Sequence, residues 1–94
     1  MGKAEYKVAG GKLIRTTVTV ENGIIRDIKL TGDFFMHPED FIEELEETLR
    51  GAPFNEKVIV EHIKTLASKR GVVLIGVSPE DFAKCIMMAG ERNE

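Results

Sequence analysis

The chain has 94 residues, with 13 Lys and Arg against 16 Asp and Glu, for a formal net charge of −3. That length allows one domain and excludes a multidomain enzyme with a deep two-substrate cleft. Six Leu, nine Ile, eight Val and five Phe are enough for one core and place the chain outside the disordered class. Charged residues of both signs make up 31% of the chain. No apolar run is long enough for a membrane span, and the opening Met1-Gly2-Lys3-Ala4 has no apolar stretch of the signal-peptide kind. A lone cysteine, Cys85, closes no internal disulfide, so a cytoplasmic location is the expectation.

In chain order, the first strong pattern is Leu13 to Val20. Ile14, Thr16, Val18 and Val20 share one face, and the β-branched content marks a strand. Ile24 to Leu30 alternates as well, with Ile24, Ile28 and Leu30 on one face, and Asn22-Gly23 between the two is a hairpin signal. Parity favours a three-residue loop, Glu21-Asn22-Gly23. This pairs Val20 with Ile24, Thr16 with Ile28 and Ile14 with Leu30, with Gly23 left-handed and a bulge beside it.

Pro38 suits the first helical position, and Glu39 and Asp40 suit the positive end of a helix dipole. Phe41, Ile42, Leu45 and Leu49 then recur at helical spacing up to Gly51. Asn55 is a good cap for a second helix that turns Ile59, Ile63 and Leu66 inward and stops at Gly71. Val72 to Ile75 is a short apolar run that reads as a buried strand. Ser78-Pro79-Glu80-Asp81 opens a third helix with Phe82, Cys85, Ile86 and Ala89 inward, and the residues after Gly90 are expected to fray. The order is β-β-α-α-β-α. It predicts a single α+β domain over residues 1–94, a small antiparallel sheet of the N-terminal hairpin plus the later strand, covered by three helices.

Charge is uneven along this plan. Residues 1–29 carry a balance of +3, whereas 33–47 hold seven acids and no base. The acidic block reads either as a solvated helix face or as a surface that meets a basic partner. The basic segment is too weak, and too poor in interleaved aromatics, for nucleic-acid binding.

No catalytic constellation stands on its own. His37 and His62 are the only histidines, and no Cys or His has zinc spacing. Cys85 sits on an apolar helical stripe without an adjacent base. No catalytic residue and no metal ligand is therefore assigned. Two short elements stand out. Gly10-Gly11-Lys12 reads as a turn before a strand, or as a place where backbone N–H groups and a lysine meet an anion; it lacks the spacing of a nucleotide phosphate loop. Gly32-Asp33-Phe34-Phe35 reads as a bulge feeding the first helix, or as a docking point. Adjacent aromatics on an extended segment face opposite ways, so one can enter the core and leave the other for an interface.

Taken together, Tyr6-Lys7-Val8-Ala9-Gly10-Gly11-Lys12-Leu13-Ile14-Arg15, Asn22-Gly23-Ile24-Ile25, Thr31-Gly32-Asp33-Phe34-Phe35-Met36-His37-Pro38-Glu39 and Leu45-Glu46-Glu47-Thr48-Leu49-Arg50-Gly51 resemble the small C-terminal domain of lipoate–protein ligases. The resemblance runs in order over nearly the whole chain. It implies a free-standing accessory subunit, non-catalytic alone, of a two-part ligase. The family's large part holds the lipoate and ATP sites. The complete enzyme uses ATP, Mg2+ and lipoate to make lipoyl-AMP, then transfers the lipoyl group to a lysine of a lipoyl-domain protein. The small part is needed for activation and binds no cofactor alone. Carried onto this chain, the resemblance makes Lys12, Arg15, Asp33, Phe34 and Phe35 the expected contacts with the large subunit, with Gly10, Gly11 and Lys12 as the turn or phosphate approach. Neither nucleic acid nor membrane is an expected partner. The layout also resembles the iron–sulfur scaffold and sulfur-acceptor fold, the alternative function, although that chemistry needs exposed cysteines.

Overall fold

The structure, a computed structural model, describes residues 2–10, 12–33, 35–37 and 40–91, with the backbone alone at 35–37. The elements are β1 (Gly2–Lys7), β2 (Leu13–Glu21), β3 (Ile24–Gly32), β4 (Phe35–His37), α1 (Phe41–Leu49), α2 (Glu56–Arg70), β5 (Val73–Ile75) and α3 (Pro79–Glu91). The α+β class holds, and β1 and β4 join the expected elements. Alternation in β1 is faint because its inward positions are Gly2, Ala4 and a half-buried Tyr6 rather than large aliphatics.

Strands β1, β2 and β3 form an antiparallel meander. The hairpin corrects the expected register. Glu21 pairs with Ile24, so the turn is the two-residue Asn22-Gly23, with φ of 53° and 74°. Two consecutive left-handed residues define the mirror-image turn that matches strand twist. Parity is restored further along: Val20 pairs with Ile25 and Thr19 with Asp27, which leaves Arg26 as the extra residue of a bulge. The bulge turns Ile25 inward together with Ile28 and Leu30, while Ile24 is only half-buried. Beyond it, Val18 faces Ile28 and Thr16 faces Leu30.

Helix α3 packs beneath β1 and β2, α1 beneath β3, and α2 against both helices. The core holds Ile14, Val18, Ile25 and Ile28 from the sheet against Phe41, Leu45, Ile59, Ile63, Phe82 and Ile86 from the helices. The helix ends follow their sequence signals. The Asn55 side chain accepts from the Val58 N–H at 3.2 Å, and Gly71 closes α2 at φ 64°. Ser78 and Asp81 bond reciprocally, each side chain accepting the other's N–H. Leu66 is half-buried. Pro38 and Glu39 lie outside the described residues, as do 92–94, and Glu91 still belongs to α3.

The outer edge of β3 is closed by the chain itself. Ile25 donates to the Ala52 carbonyl and accepts from Gly51. The Ile28 N–H donates to the Asp27 carboxylate at 3.0 Å, and the Leu30 N–H to Glu46 at 2.7 Å. The acidic block is thus partly structural: Glu46 serves this edge, and Asp40 and Glu44 pair with Arg70.

The later strand forms, but it pairs with β4 in a two-stranded sheet of its own. It is also not buried. Leu74 packs on the core, whereas Val73 and Ile75 are 57% and 58% exposed. An apolar run of this length does not say whether one face or both are covered. Among the described residues, no helix is long and apolar enough to cross a membrane.

Candidate functional site

Four segments converge at one corner: the β1–β2 turn, the end of β3, the start of β4 and the end of β5. The turn closes through the Val8 N–H, which donates to the Lys12 carbonyl at 2.7 Å, and Gly10 takes φ 103° within it. Lys12 is half-buried and lays its stem along Gly76. A Cβ at Gly76 would stand 2.9 Å from Lys12 Cγ and 3.3 Å from its Cε, and Gly76 itself has φ 81°. Glycine there satisfies both the left-handed backbone and the passage of the lysine.

Asp33 ties the end of β3 to the start of β2. Its carboxylate accepts from the Leu13 N–H at 2.5 Å, and its own N–H donates to the Leu13 carbonyl at 3.2 Å. Two residues along β2, Arg15 reaches across to Glu5, with Nε 2.6 Å from the carboxylate, and both side chains are largely exposed. Leu13, Arg15, Thr31, Gly32 and Asp33 line a shallow depression of about 360 Å³. Phe35 pairs through its backbone with Ile75.

Of the residues expected from sequence, the fold brings Lys12, Asp33 and the backbone of Phe35 to this corner, with Gly10 in the adjoining turn. Arg15 stands beside it on the open face of the sheet. Gly11, Phe34 and the side chain of Phe35 lie outside the described residues, so no contact is assigned to them. Sequence reasoning missed Val73, Ile75 and Gly76. The run between Gly71 and Gly76 is uniformly apolar, so it carries no signal of which face stays open.

Among the described residues, no three His, Cys, Asp or Glu side chains converge in a metal-holding group. Cys85 is buried beneath the sheet, where its thiol receives the Thr16 hydroxyl at 3.3 Å and faces the carbonyls of Ala4 and Ile14. A sulfur so enclosed is unavailable for cluster assembly or sulfur transfer. His62 is half-buried on α2, and His37 is described by its backbone alone. The depressed carboxyls belong to exposed ion pairs. Asp27 is lowered by its hydrogen bond to Arg50 and then by the Ile28 N–H; Glu80 is lowered by its own backbone N–H and then by Lys64.

The bacterial lipoate protein ligase C-terminus family matches residues 3–86. The chain is 40% identical over 74 residues to lipoate-protein ligase A subunit 2 of Thermoplasma acidophilum, covering 79% of this chain and 76% of that protein. It is also similar to a solved chain from an archaeal lipoylation system, a bi-partite lipoate protein ligase and its E2 lipoyl domain from Thermoplasma acidophilum. That likeness has a TM-score of 0.78 and 39% identity, over 89% of this chain and 91% of the other. With the family covering almost all of the described fold, this chain belongs to the bacterial lipoate protein ligase C-terminus family.

Proposed function

We propose that this chain is the accessory subunit of a two-part lipoate–protein ligase. It docks on the catalytic large subunit and is required for ATP-dependent conversion of lipoate to lipoyl-AMP. Transfer to a lysine of a lipoyl-domain protein follows. The likeness to a subunit of a bi-partite ligase supports the partner. The observation that carries the reading is the β4–β5 ribbon, which holds Val73 and Ile75 uncovered and leads into Gly76, along which the Lys12 stem passes. A ribbon of two three-residue strands is marginal by itself, and burying its outer face against a partner stabilises both.

A docked subunit promotes adenylation only if it binds the activation-competent state of the large subunit more tightly than the other state. Arg15, Asp33, Phe34 and Phe35 belong to the docking surface in this reading. ATP, with its Mg2+, and lipoate are substrates held by the large subunit. Lys12 is the group this chain offers toward phosphate. Gly76 fixes the course of its stem, but one cation on an open turn adds charge without enclosing a nucleotide.

The test is pyrophosphate release from lipoate and Mg-ATP by the large subunit, with and without this chain. Stimulation that saturates near one-to-one stoichiometry is expected. A large subunit that is active in transfer from lipoyl-AMP, yet gains nothing from the folded chain, overturns the proposal.

A further inference from the structure

The meander has two edges, and they are built differently. On β3, the outward N–H groups of Ile25, Ile28 and Leu30 end on Ala52, Asp27 and Glu46. Those bonds also fix which way every strand of the sheet faces. In an antiparallel ladder the backbone groups of successive residues alternate sides. Since Ile28 and Leu30 point away from β2, their partners Val18 and Thr16 point toward β1. Their own partners, Gly2 and Ala4, point back at them, and the Val8-to-Lys12 bond continues that series. The backbone groups of Lys3, Glu5 and Lys7 therefore face outward along β1. All three residues are exposed. At Glu5 and Lys7 no described group of this chain meets the outward N–H or carbonyl; the Glu5 interaction on that strand is its side chain with Arg15.

We propose that β1 is the strand to which the large subunit adds an extended segment of its own, so that the three-stranded sheet becomes four-stranded across the subunit boundary. This rests on the accessory role above. An open row of alternating donors and acceptors is recognised by another extended backbone, and side chains at alternate positions set the specificity. Here those side chains are Lys3, Glu5 and Lys7. Glu5 is already held by Arg15 at 2.6 Å, so the charge that the incoming strand reads is that of Lys7. The incoming segment carries an acidic residue opposite Lys7 and a neutral one opposite Glu5, as cross-strand pairing favours. The same lysines keep two copies of this chain apart: antiparallel self-pairing about Glu5 sets Lys3 against Lys7 and glutamate against glutamate. The edge also runs directly into the docking corner, because Lys7 pairs with Leu13, the residue that Asp33 clasps.

The experiment is residue-resolved amide hydrogen exchange on this chain, free and in complex with the large subunit, with two variants measured beside it. The Glu5 and Lys7 amides exchange quickly in the free chain and slow by at least about tenfold in the complex, while Ala4 is slow in both. Glu5→Pro removes one outward N–H at an edge position where a fold tolerates proline. It is expected to weaken the complex about tenfold, and clearly more than Glu5→Ala, which keeps the N–H and loses only an exposed ion pair with Arg15. A complex that forms and stimulates adenylation while the Glu5 and Lys7 amides exchange as in the free chain overturns strand addition and leaves the accessory role intact. Failure of the wild-type chain to bind the large subunit overturns both.

Discussion

Asp33 and Leu13 hold each other twice, through the Asp33 carboxylate on the Leu13 N–H and the Asp33 N–H on the Leu13 carbonyl. One acidic side chain thereby ends the β2–β3 ladder and starts the path into β4. Asp33→Ala should cost about 1 kcal/mol, which in a domain of this size lowers the melting midpoint by roughly 4–8 °C. Asp33→Asn keeps an acceptor oxygen and should recover most of that loss. If Asp33 acts by shaping the corner, stimulation of the large subunit follows the same order, with Asn close to wild type and Ala lower. Full stability combined with lost stimulation in Asp33→Asn would instead assign its charge to the partner.

Phe54 lies over Gly90, where a Cβ would overlap the ring and stand 3.1 Å from Cε2. Two effects compete in Gly90→Ala. Helix propensity favours alanine by about 1 kcal/mol, and overpacking costs about 1–3 kcal/mol. Gly90 sits near the helix end, where propensity counts least, and Phe54 packs against the core and has little room to give. Net destabilisation is expected in a denaturant melt. Phe54→Leu in the same chain should relieve part of it, giving a favourable coupling energy in a double-mutant cycle. Additive losses would show that the ring moves aside freely.

Local chemistry was legible, and so were the elements it governs. Asn55, Gly71 and the Ser78–Asp81 pair each mark a helix end by the hydrogen bond or backbone angle that their residue type provides. The hairpin was legible as a hairpin, but its register was not. Asn22-Gly23 alone takes the two-residue turn, and the compensating bulge at Arg26 leaves no signature beyond the odd spacing of Ile25 and Ile28. Strand β1 was hidden because Ala4 and Tyr6 give little apolar contrast. The corner depends on contacts between segments far apart in sequence, such as Lys12 on Gly76, which no local pattern encodes. Periodicity also could not show that Val73 and Ile75 stay uncovered.

Acid should weaken the fold through Asp27 and Glu80. Both have folded pKa values below the ordinary carboxylate range near pH 4. A carboxyl lowered in the folded state binds protons more readily when unfolded. Its stabilisation is therefore present above that range and lost as pH falls through the folded value. Both groups are exposed, so the effect is small and sensitive to salt. The melting midpoint should hold between pH 7 and 5 and decline toward pH 3. Arg50→Ala, which removes the main cause at Asp27, should flatten part of that decline. A slope unchanged in Arg50→Ala would assign the acid sensitivity to other carboxyls.

Val73 and Ile75 separate docking from folding, because they are the exposed faces of a strand whose middle residue, Leu74, packs on the core. Replacing both by Thr keeps β-branching and strand propensity and removes apolar surface that faces solvent in the free chain. Stability should stay within about 0.5 kcal/mol. Docking loses the burial of two or so methyl-sized groups at about 0.8 kcal/mol each, which raises the concentration for half-maximal pyrophosphate release roughly tenfold. The plateau should be unchanged, since a saturated complex still reaches the competent state. Leu74→Ala should give the reverse pattern, with a lower melting midpoint and little change in half-maximal concentration while the chain remains folded. A double Thr variant that stimulates at wild-type concentrations would remove this ribbon from the interface and leave the β1 edge and the Lys12 turn as the surfaces to map.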